Sequence, residues 1–498
     1  MNKIIFLMIV VGVYLFSSCY DDKGNYDYNP LNELEISGIE KEYTREKWDT
    51  LKIPAPSLTS RLAEIPPVKY CWEINGKKVS EKPYLEYIVK DRAERDYKCR
   101  LIVSDTVMNV EYYKTFKLKV FTPYSEGLMV LTEYDDCPMV SFLGIIDGVE
   151  KNFKLGVYEA ENNEKLMGKP IGIEQPDIQF YKGVVCIHTS LGSYTIDPIQ
   201  FKKIKVYDKT ELTKPEDDFE IVFCRFTDED ARIGHAMGKN GRLYPKHARN
   251  GKFNMPSLYP CPREANIGES VKPGETLEYD LAPFCLTCKE HVLAFDNKLQ
   301  QFLVFRNSMF DVLEDPYQIN KVMVGREKLG LPFLAMAKNK NRGMYTSIFY
   351  DPVTKKGGII PDHDNKGKTA MGMVWPYQPN QHYFNEKTRM IISTISNFMY
   401  YSNGNKIYKI DVSTPLWESV LFPVSLPDDA EITCMKMTMD QKSFYVGVSR
   451  TRENKLTGDI FKIDADTGTI LRHYEEIGGT PVSLIEKIRV EYEIGENE

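Results

Sequence analysis

Five short stretches share one design: SYTIDPI at Ser193–Ile199, HVLAFDNK at His291–Lys298, SIFYDPVTKKGG at Ser347–Gly358, KIYKIDVST at Lys406–Thr414 and DIFKIDADTG at Asp459–Gly468. Each is an apolar strand followed by an Asp, and in four of the five the turn after it carries Pro, Thr or Gly. An Asp carboxylate can accept hydrogen bonds from backbone N–H groups two or three residues ahead, which closes a turn without a backbone partner. The aspartates Asp197, Asp296, Asp351, Asp411 and Asp464 are separated by 99, 55, 60 and 53 residues. The first gap is nearly a double period and implies a unit whose turn lacks the Asp. LTEYD, ending at Asp135, fits one period earlier. The register therefore counts seven units of ~50–60 residues, each enough for a four-stranded blade and its loops. Residues 123–490 are expected to form a β-propeller of seven blades, followed by a polar tail at 491–498. A large sandwich with chance Asp-turns is the competing reading.

Upstream, from about Glu33 to Thr122, the text becomes short alternating strands: LEISG, DTLKIPAP, VKYCWEING, YLEYIV, DYKCRLIVSD and YYKTFKLKVF. Asn75-Gly76 is a strong hairpin signal because both residues tolerate positive φ. Six or seven strands in ~90 residues fit an immunoglobulin-like sandwich over 33–122, with Trp72 as its buried tryptophan. Neighbours on a strand face opposite sides, so an inward Trp72 turns Cys71 outward, whereas Cys99 shares the inward face of Tyr97. Two thiols are expected there, with no disulfide between them.

Near the start of the sequence Lys3 precedes the uncharged apolar run IIFLMIVVGVYLF, Ile4–Phe16. That run is too short to span a bilayer as a helix, which needs ~20 residues. It ends in Phe16-Ser17-Ser18-Cys19, which resembles the lipobox cleaved by the bacterial lipoprotein signal peptidase. Residues 1–18 are accordingly expected to be removed, with Cys19 lipidated and 19–32 serving as a flexible tether. Tyr20-Asp21-Asp22-Lys23 after the cysteine resembles the signal that exports Bacteroidota lipoproteins to the outer face of the outer membrane.

The sandwich resembles the PKD domains. Their tyrosine-bearing strand leading into V-x-D is matched by YKCRLIVSD, Tyr97–Asp105, with Tyr97 placed like a tyrosine corner. Their W-x-F-G-D-G is matched only at Trp72 and Gly76, so the domain falls in a divergent PKD-like group. The order of lipobox, tether, PKD-like module, GLMVL at Gly127–Leu131 and a β-rich C-terminal part is similar to that of PKD-like family lipoproteins of Bacteroidota. The resemblance implies an accessory of SusC/SusD-type uptake systems, in which a TonB-dependent transporter and a SusD-like lipoprotein capture an oligosaccharide or peptide.

Composition bounds the remaining classes. The hydrophobic fraction of 42% and aromatic fraction of 12% supply large cores. Net charge is −7, with no basic stripe, so nucleic acid is not an expected partner. Ten cysteines, one of them Cys19, are not the even, dense pattern of a disulfide scaffold. Cys285-Leu-Thr-Cys288 with His291 and Cys261 outlines a metal cluster or a local disulfide, but a single CxxC beside an apolar strand reads better as packed thiols. No HExxH, GxSxG or phosphate-cradling loop is present, and DHDNKG at Asp362–Gly367 departs from a calcium loop at Lys366 and Met373. No catalytic residue, metal or cofactor is assigned.

Two stretches remain as candidate binding loops. Arg232–Ser270 is rich in Gly, Pro, Asn and basic residues, with His235, His247 and Tyr259. MVWPYQPNQHYF, Met373–Phe384, sets Trp375, Tyr377 and Tyr383 beside Gln378, Asn380 and His382, flat apolar faces next to amide donors that suit sugar rings or extended peptides. Inter-blade packing is the plainer reading of the second stretch. A binding module, a propeller enzyme of glycosidase or peptidase class, and a scaffold for a transporter complex all remain open.

Overall fold

The computed structural model describes residues 33–490 apart from 62–63, 94, 147, 177–183, 212–218, 227–232, 250–251, 255–279, 288–290, 299, 307–320, 325–331, 340–343, 364–382, 414–417 and 453–454. Cys19 and its tether, Tyr259, Cys261, Cys288 and Trp375–His382 lie outside the described residues. The chain divides into two compact units, Met1–Val89 with Asp96–Lys119 and Lys90–Arg95 with Val120–Glu498.

The first unit carries a five-stranded sheet in the order Glu42–Glu46, Val110–Phe121, Arg95–Asp105, Val68–Ile74, Lys77–Ser80, in which Val68–Ile74 runs antiparallel to both of its neighbours. Two strand pairs complete it, Leu34–Ser37 with Ser57–Ser60 and Thr50–Ile53 with Leu85–Ile88. Alternation does the sorting: Trp72 and Ile74 are buried from one strand, Cys99, Leu101 and Val103 from its neighbour. Trp72 is fully buried, packs edge-on against Phe116 with centroids 6.1 Å apart, and donates its indole N–H to the Lys82 carbonyl at 2.9 Å. Asn75 and Gly76 adopt φ of 49° and 74°, the left-handed pair of a two-residue hairpin. Cys71 and Cys99 carry thiols; they sit opposite Ile102 and Ile74 and are not cross-strand partners.

The second unit is a seven-bladed β-propeller among the described residues. Its sheets are Gly127–Tyr134, Cys137–Ile146 and Val149–Lys154 (blade 1); Pro170–Glu174, Val185–Thr189, Gly192–Ile196 and Lys203–Tyr207 (blade 2); Ile221–Phe226, Ile233–Gly238, Leu243–Arg249 and Lys252–Asn254 (blade 3); Leu281–Thr287, His291–Asp296, Gln301–Arg306 and Lys321–Val324 (blade 4); Phe333–Asn339, Met344–Asp351 and Lys356–His363 (blade 5); Met390–Ile392, Phe398–Asn403, Lys406–Asp411 and Val420–Leu421 (blade 6); and Glu431–Met437, Ser443–Arg452, Lys455–Asp464 and Ile470–Tyr474 (blade 7). The innermost strand of blade 1 comes from the other end of the chain: Thr480–Lys487 pairs antiparallel with Gly127–Glu133. Inner strands touch in ring order, and the closing strand contacts both Pro170–Glu174 and Glu431–Met437.

Among the described residues, the apolar side chains of the propeller gather between blades. Seven apolar clusters lie between consecutive blades, one per interface. That geometry explains the continuous apolar runs. Along Gly127–Tyr134, Met129 and Leu131 enter the interface with blade 2 while Leu128 and Val130 enter that with blade 7. A strand buried on both faces has no polar side to alternate with. Outermost strands lose one neighbour and are largely exposed, as in Ile470–Tyr474.

Gly127 is required by close approach: a Cβ there would lie 2.0 Å from the Leu143 carbonyl oxygen. At the seam, Gln175 holds the main chain of Ile488 with both ends of its amide, accepting from the N–H at 2.9 Å and donating to the carbonyl at 3.2 Å.

The Asp corners form as expected. Asp197 accepts from the N–H groups of Ile199 and Gln200, Asp351 from Val353, Asp411 from Ser413, and Asp464 from Asp466 and Thr467. They do not occupy equivalent corners. Asp296 and Asp351 close the turn between second and third strands, whereas Asp197, Asp411 and Asp464 close that between third and fourth. Successive corners of an antiparallel sheet fall at opposite ends, so the repeat counts blades correctly although its members are divided between the two rims. Asp135 works differently: it and Asp136 take φ of 48° and 59° in a tight hairpin. In the unit without an Asp, Asn240 replaces it and accepts from the Arg242 N–H at 3.1 Å.

The described part of Arg232–Ser270 corrects its reading as a loop: Ile233–Gly238, Leu243–Arg249 and Lys252–Asn254 are strands of blade 3. His235 is fully buried there, and Ala236, Met237, Leu243 and Tyr244 pack into its two interfaces. Burial by neighbouring blades outweighs a Gly- and Pro-rich composition.

Candidate ligand cavity

Seven inner strands around one axis leave a cavity of about 890 Å³ among the described residues, lined from every blade. This is within the size of ordinary small-ligand sites, ~300–1,000 Å³. Its wall is chemically divided. The described residues that blades 4 and 5 contribute are apolar, Pro283 and Phe284 from one, Phe333, Leu334, Ala335 and Met336 from the other. Phe223 of blade 3 continues that surface, its ring 5.1 Å from Phe284, which lies 6.0 Å from Phe333. The charged side chains come from elsewhere: Glu386 and Arg389 of blade 6, Lys436 of blade 7, Glu486 of blade 1, Glu174 of blade 2 and Arg225 of blade 3.

Several of these are held by neighbours. Arg389 donates through Nε to the Thr433 carbonyl at 2.9 Å. Glu486 accepts from the Tyr445 hydroxyl at 3.1 Å and the Met439 N–H at 2.7 Å. Glu174 lies 2.8 Å from Nε2 of buried His188, whose Nδ1 lies 2.9 Å from the Ser193 hydroxyl. Burial alone would lower the imidazole, but the Cys224 sulfur and the Glu174 carboxylate outweigh it and push His188 up to about 9. Cys224 packs among Phe219, Ile221, Ala236 and Tyr244, an apolar setting that suits anchoring the ring rather than nucleophilic chemistry.

Elsewhere, Asp459, His473 and Glu475 have ligand atoms within 4.8 Å of one another, a spacing that could hold a metal ion. The Asp459 carboxylate already receives Arg450 at 3.2 Å, Arg452 at 2.9 Å and His473 at 3.1 Å. Two guanidinium groups on one carboxylate make an ion-pair network that opposes a further cation. Cys285 is buried in the interface between blades 3 and 4.

Of the candidate binding residues, Tyr383 is described. It is half exposed, adopts φ 55° and stacks on Tyr408 at 4.9 Å, which stacks in turn on buried Tyr401 at 5.3 Å. Phe384, next in sequence, is buried between blades 5 and 6. Trp375, Tyr377, Gln378, Asn380 and His382 are outside the described residues. The sequence reading missed the cavity because its wall takes a few residues from each of seven strands between Ile171 and Ile488, and no linear motif links them.

Residues 19–170 match the PKD-like family, a segment running from the expected lipidation site through the sandwich and blade 1. No curated protein sequence matches the chain. Among solved structures, a quinoprotein alcohol dehydrogenase-like protein from Bacteroides thetaiotaomicron is 14% identical, with 92% of this chain and 99% of that one covered and a TM-score of 0.46. A functionally unknown protein from Desulfotomaculum acetoxidans is 10% identical, covering 73% and 100%, with a TM-score of 0.42. The Cps50 (Swd1) β-propeller domain of Myceliophteria thermophila is 8% identical, covering 64% and 90%, with a TM-score of 0.38. The propeller assignment rests on the seven sheets and their ring order.

Proposed function

We propose that this is a lipid-anchored outer-membrane protein facing the cell exterior, a non-catalytic binding accessory of a SusC/SusD-type system that takes up an oligosaccharide or peptide. Its partners would be a TonB-dependent transporter and a SusD-like lipoprotein. The observation that carries the reading is the axial cavity, of ligand size, with apolar surface and fixed charged groups converging on one space. The PKD-like match beginning at residue 19 supports the surface assignment.

Anchoring rests on Phe16–Lys23. A fatty-acid analogue fed to cells is expected to label the native chain and to leave Cys19→Ala unlabelled, and protease added to intact cells is expected to shave it. Full protection in intact cells would place it on the periplasmic side.

For Met373–Phe384, Trp375→Ala is expected to weaken ligand binding roughly ten-fold or more, because one aromatic anchor is worth on the order of 1–2 kcal/mol at a binding centre. The melting temperature should barely move. A fall matching ~3–5 kcal/mol would instead make Trp375 a packing residue. Titration against oligosaccharide and peptide panels, with a melting curve for the same variant, separates the two outcomes.

A further inference from the structure

We propose that the axial cavity takes a short peptide with apolar side chains and free termini, in preference to a neutral sugar; this rests on the binding role above and names its ligand class. One side of the cavity, on blades 4 and 5, is apolar, and the charged residues stand on the other blades, with further apolar residues among them. On blades 4 and 5, the described residues that line it offer no side-chain hydrogen-bonding group. Phe223, Phe284 and Phe333 follow one another on three consecutive inner strands, their rings tilted by 47° and 40°. That surface is corrugated and suits branched or aromatic side chains.

A sugar carries hydroxyl groups around its whole rim. Those turned towards blades 4 and 5 would lose water and find no side-chain partner, a cost borne by each buried hydroxyl. A peptide divides as the cavity divides. Its side chains can face the phenylalanine side while its carboxylate and ammonium groups face the blades holding both signs. Arg389 and Lys436 suit the carboxylate; Glu386 and Glu486 suit the ammonium. Arg389 and Glu486 are already held by Thr433, Tyr445 and Met439, so little ordering is needed on binding.

Isothermal titration of the full chain tests this with three probes: a phenylalanine–leucine–phenylalanine tripeptide with free termini, the same tripeptide acetylated and amidated, and maltotriose. The free tripeptide is expected to bind saturably, at least ten-fold tighter than the blocked form, with no saturable heat from maltotriose. Phe284→Ala should weaken it ten-fold or more. Lys436→Gln, which removes no apolar packing, should erase most of the preference for free termini, so a folding defect in the first variant cannot decide the matter. Maltotriose binding without tripeptide binding overturns the inference and leaves the binding role standing. Tripeptide binding unchanged in both variants overturns it too, because the peptide then sits outside the cavity. Silence from all three probes also overturns it, and the binding role then stands or falls on the Trp375 titrations.

Discussion

A chain ending at Gly479 is expected to lose cooperative folding of the propeller while its sandwich stays folded. The missing strand supplies the inner edge of blade 1, seven register pairs with Gly127–Glu133 and the buried side chains Leu484 and Ile485. Each of those two side chains is worth ~2 kcal/mol of burial and each backbone hydrogen bond a net ~0.5–1.5 kcal/mol. Loss of Gln175's grip on Ile488 adds to this. The total, on the order of 10 kcal/mol, equals the net stability of an ordinary domain, ~5–15 kcal/mol. Near-ultraviolet circular dichroism during heating checks it. A sharp transition of native amplitude would mean that six complete blades hold an open ring.

The second large effect is expected in the sandwich. Trp72→Ala removes a fully buried indole, its edge contact with Phe116 and its bond to the Lys82 carbonyl. A change of this kind costs ~3–5 kcal/mol. For a domain of ~90 residues, 1 kcal/mol moves the melting temperature by about 4–8 °C, so the sandwich transition should fall by on the order of 15–30 °C. Because the sandwich and propeller are separate compact units, calorimetry should show the propeller transition in place. Equal movement of both transitions would show that they unfold as one cooperative body.

The elements legible in the sequence were those written locally. Asn75-Gly76, the Trp72 strand and the Asp turns each need only a few adjacent residues, and the turn spacing alone led to seven blades. What required the fold was whatever depends on which strands become neighbours. Asp296 and Asp464 look alike as text but close different corners, because strand order within a blade decides the rim. The strands Ile233–Gly238 and Leu243–Arg249 read as a loop, since the burial of Ala236, Met237, Leu243 and Tyr244 comes from blades 2 and 4 rather than from their own composition. Above all, Glu174, Phe284, Arg389 and Glu486 meet around one axis although more than 300 residues of chain separate the first from the last.

The seam of the ring also sets a timetable. Thr480 follows Gly127 by about 350 residues, which at ~5–20 residues per second is on the order of 20–70 s of synthesis. Throughout that interval Gly127–Tyr134 has emerged without the strand that will cover its inner edge. An uncovered apolar edge recruits other strands, so Leu128–Leu131 is open to mispairing until Thr480–Lys487 arrives. Synthesis of Thr480–Lys487 is what closes that edge.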